Sequence, residues 1–226
     1  MRQERTRLLL GDDGLRKLSG AKVLLLGIGG VGGYAFEALV RSGVGRIGIV
    51  DGDVFTESNL NRQLLATEKT LGMKKCDAAV ARAKEVNAEV AVEAYPFFYN
   101  EENAGKIPVE EYDYVVDAID DVPAKVDVIK RSVKSGTPIV SVMGTGNKLS
   151  PALLMVADIS KTEICPLARA VRVRLKKEGV TKGVKVVFSK ELPLPYQGKV
   201  GSTAFVPAAA GMIAASEVVK DLCRTK

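Results

Sequence analysis

The chain of 226 residues contains no histidine. An imidazole base, nucleophile or metal ligand is thereby excluded. Cysteine is scarce, and Cys76, Cys165 and Cys223 lie far apart with no CxxC pair among them. That spacing argues against a disulfide framework or a structural zinc, and for a reducing, cytoplasmic setting. The charged opening MRQERTRLLLGDD carries only a three-leucine run and does not read as a signal peptide. The longest apolar stretch, Ala204 to Val219, contains Pro207 and Gly211 and is too weakly apolar for a membrane span. No internal repeat or low-complexity tract is present. The net charge of +6 accommodates an anionic partner without demanding one.

What remains is an alternation of apolar strands with helices of 3.6-residue period. Such a pattern specifies an α/β fold, Rossmann-like, with a mainly parallel sheet and helices on both faces. Strands are predicted at Val23–Gly27, Arg46–Asp51, Glu89–Tyr95, Asp113–Ile119 and Pro138–Met143, with helices at Tyr34–Ser42, Lys75–Asn87 and Pro123–Ser135. Gly43 and Gly136 are natural helix stops, and Pro123 suits a first helical turn. Beyond Met143 the pattern changes. Leu153–Asp158 and Val184–Ser189 read as strands, Cys165–Lys177 as a helix opened by Pro166, and 190–201 as a loop or crossover. A last helix begins near Pro207, rich in small residues that permit close packing. The expected organisation is one domain: a helical arm over 1–22, a nucleotide-binding core over 23–143, and an antiparallel extension of the same sheet with a C-terminal helix over 144–226.

The strand VLLLG runs into Gly27-Ile28-Gly29-Gly30-Val31-Gly32. Only glycine lets the backbone approach a phosphate closely, and a helix start offers free N–H groups to that anion. Gly27, Gly29, Gly32 and Asp51 satisfy the dinucleotide fingerprint, which by itself favours a nicotinamide or flavin enzyme. The residues after Asp51 point elsewhere. Asn59, Arg62, Gln63 and Lys75 come on segments able to fold back over the same crevice, and two extra cations suit a triphosphate. The fourth strand ends in Asp117-Ala118-Ile119-Asp120-Asp121, where a carboxylate is well placed for Mg²⁺ beside phosphate oxygens. ATP with Mg²⁺ explains more residues than NAD.

Together, GIGGVGG, VDGDVFTESNLNRQ, LGMKK and DAIDD resemble the adenylation domain of the ubiquitin-activating superfamily, including bacterial members that adenylate sulfur-carrier proteins. The stretch NKLSPALLMVADISKTEICPLARAVRVRLKK is similar to one branch, the tRNA threonylcarbamoyladenosine dehydratases. The resemblance implies ATP-dependent ring closure on a modified tRNA adenosine beside the anticodon. It implies that Asp51 holds the ribose, that Asn59, Arg62 and Lys75 face the phosphates, and that Asp120 binds Mg²⁺ and supports the reaction. It further implies a homodimer in which an N-terminal arginine reaches the partner's γ-phosphate; Arg7 matches, with Arg5 its competitor. A sulfur-relay protein is an additional partner within its scope. The zinc-binding CxxC pairs of many sulfur-carrier adenylyltransferases are missing, and no cysteine has a context that demands a thioester. Both departures count against a ubiquitin-like protein substrate.

A carboxylate is a poor electrophile until its oxygen is made a good leaving group. Attack on the α-phosphorus of ATP gives an acyl-adenylate, and a nucleophile on the same substrate then closes a ring at high effective concentration. Such chemistry needs positioning and charge neutralisation, not a covalent nucleophile. Each residue also has a plainer role: Asp51 as a turn cap, Arg62 and Lys75 as solvated charges, Asp117 as a structural strand residue, Asp121 as a helix cap, Cys165 as an inert cap and Cys76 as core. In the 165–177 helix, Leu167, Val171 and Leu175 are expected on one face, with Arg169, Arg172 and Lys176 on the other as contacts for tRNA phosphates.

Overall fold

A computed structural model describes residues 2–224. After helix α1 (Glu4–Gly20) come β1 (Lys22–Leu26), α2 (Gly32–Ser42), β2 (Arg46–Val50), α3 (Lys75–Val86) and β3 (Ala91–Tyr95). The chain continues through β4 (Tyr114–Asp117), α4 (Val122–Ser135), β5 (Ile139–Val142), β6 (Leu154–Asp158), α5 (Pro166–Lys177), β7 (Lys185–Ser189) and α6 (Phe205–Cys223). One seven-stranded sheet has the order β3-β2-β1-β4-β5-β7-β6. The α/β fold is the expected one. The antiparallel part of the extension is confined to β6, which pairs with β7, while β7 joins β5 in parallel.

Side chains alternate across the strands, so the sheet feeds two cores. Val23, Leu25, Ile47 and Ile49 face α1, α2, α3 and α6, where they meet Leu18, Phe36, Cys76 and Ala214. Leu24, Leu26, Val115 and Phe188 face α4 and α5, meeting Ile129, Val171 and Leu175. A strand buried on both sides reads as a continuous apolar run, which is why VLLLG was legible. The small residues of α6 serve close packing: a Cβ on Gly211 would lie 2.2 Å from the Val31 carbonyl oxygen of the segment leading into α2.

Several element boundaries differ from expectation by one to three residues, and the arm is bent. Helix α2 begins at Gly32 and not at Tyr34, because the glycine loop itself turns into the first helical residues. Strand β3 begins at Ala91, where its N–H reaches the Gly45 carbonyl; the preceding residues are held by the Asn87 turn. The N-terminal arm is kinked at Gly11, whose φ of 70° lies in the left-handed region. Segment 190–201, expected as a loop or crossover, has no helix or strand, and the loop runs on to 204. Among the described residues no helix is long and apolar enough to cross a membrane.

Candidate nucleotide-binding site

The carboxyl ends of β1, β2, β3 and β4 open on a cleft of about 680 Å³, within the range of ligand pockets. Gly27, Gly29, Asp51, Asn59, Arg62, Gln63, Lys75 and Asp120 all line it. Residues spread over nearly a hundred positions thus converge where a parallel sheet offers its ligand crevice.

The glycines divide the work. Gly27 has a φ of 89°, and a Cβ there would stand 2.8 Å from the Ala118 carbonyl oxygen. At Gly32 a Cβ would collide with the Gly27 carbonyl oxygen at 1.7 Å, so this glycine permits the helix to start against the strand end. Gly29 faces open space, with nothing nearer to its Cβ position than Gln63 Nε2 at 3.9 Å. Gly30 and Gly32, expected with Gly27 and Gly29 to bind the nucleotide, do not line the cleft wall, although the Gly30 N–H is without an acceptor among the described residues. Gly30 instead sits beneath Pro207 and Arg62. Among the described residues the amides of Gly29, Gly30 and Val31 meet no acceptor, leaving the N–H groups that an anion would take.

Asp51 is both turn cap and cleft residue. Its Oδ2 accepts the Ile28 N–H at 2.7 Å and its Oδ1 accepts the Asp53 N–H at 2.9 Å, locking the glycine loop to the end of β2. Each oxygen keeps a second lone pair for a hydroxyl. Behind it, Cys76 donates its thiol hydrogen to the Asp51 carbonyl at 3.3 Å, and burial pushes that thiol up to about 11. Cys76 is therefore a core residue, as expected, and inert as a nucleophile.

The cations arrive by different routes. A short 3₁₀ turn at Glu57–Asn59 is closed by a capping box, in which Asn59 Oδ1 accepts the Thr56 N–H at 3.1 Å. That turn feeds Arg62, whose Nη1 donates to the Ser58 carbonyl at 2.7 Å and to Asn61 Oδ1 at 2.9 Å. The rest of the guanidinium remains available. Gln63 is buried and, among the described residues, its Oε1 has no partner, so its amide has unspent hydrogen-bonding capacity at the cleft. Lys75, first residue of α3, is buried and donates to Asp53 Oδ2 at 2.8 Å, with its Nζ 5.9 Å from the Phe55 ring centroid. Burial pushes Asp53 up, but the Lys75 ammonium and the Val54 N–H hold its carboxyl below the usual aspartate range.

Asp117 ends β4 wholly buried. Its Oδ2 accepts hydrogen bonds from Lys125 Nζ at 2.8 Å and from Ser141 Oγ at 2.5 Å, and its Oδ1 holds the Ile119 N–H at 3.1 Å. The structural reading of Asp117 holds, and it fixes the turn that carries Asp120. Asp120 is exposed at the cleft wall and, among the described residues, has no hydrogen-bond partner. Among the described residues no three cysteine, aspartate or glutamate side chains are arranged so as to hold a metal ion by themselves. The unpaired Asp120 carboxylate beside a nucleotide-sized cleft nevertheless fits Mg²⁺, which takes few protein ligands and completes its shell with phosphate oxygens and water. Asp121 caps α4, accepting the Ala124 N–H at 2.9 Å.

Two readings change. Arg172, expected on the outer face of α5, turns inward and donates to the Thr162 carbonyl at 2.9 Å; the buried face is Ala168, Val171 and Leu175, with Leu167 only partly covered. The segment Phe97 to Asn100 also lines the cleft and was missed. It directly follows β3, so the carboxyl-end rule would have found it. Arg7 does not line the cleft of its own chain; it lies 3.7 Å from Asp12, with Leu8 and Leu9 beside it 70% and 87% exposed. Cys165 occupies the N-cap position of α5, buried and free of any capping hydrogen bond.

Comparison with known proteins places these features in context. The model of the ThiF family matches residues 2–226. The chain is 41% identical to the tRNA threonylcarbamoyladenosine dehydratase of Bacillus subtilis, covering 97% of this chain and 94% of that one. The crystal structure of the Escherichia coli tRNA N6-threonylcarbamoyladenosine dehydratase in complex with ATP superposes with a TM-score of 0.92 at 34% identity, covering 98% of this chain and 93% of the other. A Xenopus laevis protein, adenylyltransferase and sulfurtransferase MOCS3, is 40% identical, over 58% of this chain and 29% of its own length.

Proposed function

The chain belongs to the ThiF family, and from that membership we propose that it is an ATP-dependent tRNA threonylcarbamoyladenosine dehydratase. The observation that carries this reading is the convergence on one cleft of unpaired loop amides, Asp51, Arg62, Lys75 and Asp120, in a chain so similar to a dehydratase crystallised with ATP. The sulfur-carrier alternative is supported by similarity over a smaller part of the chain.

In this reading the base lies toward Phe98, whose exposed ring offers an apolar surface at the cleft. Asp51 accepts from the ribose hydroxyls. The Gly29 to Val31 amides, Asn59, Arg62, Gln63 and Lys75 receive the phosphates. Asp120 would hold Mg²⁺, which when bound neutralises phosphate charge. The threonylcarbamoyl carboxylate oxygen attacks the α-phosphorus, the bond to the β-phosphate oxygen breaks, and pyrophosphate leaves. A nucleophile on the same modified adenosine then attacks the acyl carbon, closing the ring and expelling AMP. The net change is loss of one water from the tRNA. Arg62 and Lys75 stabilise the charge that grows on the pentavalent phosphorus. No imidazole is required.

Arg7 acts in this scheme from a second copy of the chain, on the γ-phosphate. The solvated Leu8 and Leu9 support that arrangement, because apolar side chains flanking the arginine gain cover only against another surface. The whole chain serves as one cytoplasmic adenylation domain, and a sulfur-relay protein is a partner to be tested by adding it to the purified enzyme.

The test is to incubate the protein with ATP, magnesium and threonylcarbamoyladenosine-containing tRNA and weigh the digested nucleosides. A mass loss of one water is expected. Pyrophosphate exchange stimulated by a protein ending in Gly-Gly and not by tRNA would overturn it in favour of a sulfur-carrier adenylyltransferase. Calorimetric binding of NAD without ATP would overturn it in favour of an oxidoreductase.

A further inference from the structure

The positive charge of the chain is concentrated. Residues 159–190 hold nine lysines and arginines against two glutamates, more than the entire chain's net charge of +6, so the remainder is close to neutral. This segment runs from the turn before α5 through α5 and β7 to Lys190. Three of its cations are engaged: Arg172 with Thr162, Lys185 with Glu217 and Asp221, and Lys190 with Glu163. The other six, Lys161, Arg169, Arg174, Lys176, Lys177 and Lys182, are exposed, and among the described residues none forms an ion pair. The acid at the helix end, Glu178, is tied instead to Lys130 of α4 at 2.8 Å.

Position matters as much as charge. Helix α5 buries Ala168, Val171 and Leu175, which turns Arg169, Lys176 and Lys177 toward solvent on the opposite face. Its first turn abuts the cleft rim: a Cβ on Gly144 would lie 3.4 Å from Leu167 Cβ and 3.6 Å from Cys165 Sγ, and Thr145, the next residue, lines the cleft. From that rim the helix extends about 18 Å, at 1.5 Å per residue. An unpaired cationic face of that length is the electrostatic footprint of a phosphate backbone. A membrane surface would call for large apolar anchors on the same face, and there only Val173 is both large and apolar.

We propose that the outer face of α5, with Lys161 and Lys182 at its flanks, is the docking surface for the tRNA stem adjoining the anticodon loop whose adenosine enters the cleft. The inference rests on the dehydratase reading and adds the surface that orients its substrate. Contacts of this kind bind phosphates without reading sequence, so they position tRNAs in common and leave base discrimination to the cleft.

The test compares tRNA binding across a salt series for three proteins: the unaltered chain, Arg169→Glu with Lys176→Glu, and a control of equal charge change, Arg46→Glu with Lys84→Glu, on exposed residues distant in sequence from α5. The α5 variant should lose at least about tenfold in tRNA affinity, and its plot of log affinity against log salt should be shallower by about two, near 0.9 for each lost phosphate contact. ATP affinity and melting temperature should not move, and the control should stay close to the unaltered chain. Neutral replacement by glutamine at both α5 positions should give a smaller loss in the same direction. Equal tRNA affinity in all three proteins, or equal losses in variant and control, would overturn the proposal. So would loss of binding to an acidic protein or anionic vesicles while tRNA affinity stayed unchanged. Failure of the unaltered chain to dehydrate tRNA would instead overturn the dehydratase reading, and this inference with it.

Discussion

Two lysine–aspartate pairs stand at the ligand end of the sheet, each with Nζ 2.8 Å from Oδ2. In the first, Lys75 is 7% exposed and Asp53 46%; in the second, Lys125 and Asp117 are both 0% exposed. Their hydrogen-bond counts separate them further. Lys125 donates to Asp117, to Ser141 Oγ at 3.2 Å and to the Val142 carbonyl at 2.9 Å, which uses all three of its hydrogens. Lys75 donates only to Asp53 among the described residues. A saturated ammonium holds the fold, while an unsaturated one facing a cleft has capacity left for phosphate. The same two residue types therefore serve architecture in one place and, in the function proposed, ligand binding in the other.

That comparison breaks if stability and activity respond alike at the two sites. Lys125→Met leaves the Asp117 charge sealed and unpaired, so urea unfolding should show a loss of about 3–5 kcal/mol. A loss below about 1 kcal/mol would mean that the buried pair is not the anchor its geometry describes. At the open pair the balance reverses. Lys75→Met should leave stability within about 1 kcal/mol, since a partly solvated ion pair contributes little. Its turnover with ATP and tRNA should fall by about 10²–10³-fold, as when one preorganised charge-stabilising donor is removed. Arg62→Ala and Asp120→Ala should behave like Lys75→Met, losing turnover while retaining cooperative unfolding. Full activity in both would remove the triphosphate from the cleft.

The smallest effect sharpens the contrast through pH. The Asp53 carboxyl is held below its ordinary value, so its contribution is fully present above the unfolded aspartate pKa of about 3.9. It disappears as pH falls through the lower folded value. Urea unfolding between pH 5 and 2 should show a decline of under about 1 kcal/mol assignable to this pair, given its solvent exposure. Lys75→Met should flatten that part of the curve. An unchanged curve would show that the two side chains are not coupled.

Much of the fold and of the cleft was legible along the chain. The run VLLLG, its glycine loop and Asp51 announced a strand, a tight turn into a helix and a carboxylate at the cleft, because strand burial on both faces and glycine geometry are local properties. Asp121 declared itself a cap through Pro123. The roles of Gly30 and Gly32 were less legible, since whether a missing Cβ serves a ligand or a neighbouring carbonyl depends on what packs against it. Arg172 misled for a related reason: helical spacing put it opposite the apolar stripe, but Thr162, from a separate turn, drew it inward. The Phe97 to Asn100 wall was missed because its aromatic residues follow β3 without any motif of their own.

By itself the sequence determined the alternation of strands and helices, the glycine turn at the cleft and the inventory of charges gathered around it. These rest on periodicity, side-chain chemistry and short-range sterics, all read along the chain. Only the tertiary structure decided which lysine is saturated and which keeps capacity, that Asp53 is the partner of Lys75, and that α5, with its unpaired cations, starts at the rim of the cleft. Those facts concern distances between residues far apart in sequence, and burial and hydrogen-bond saturation exist only once the sheet has brought them together.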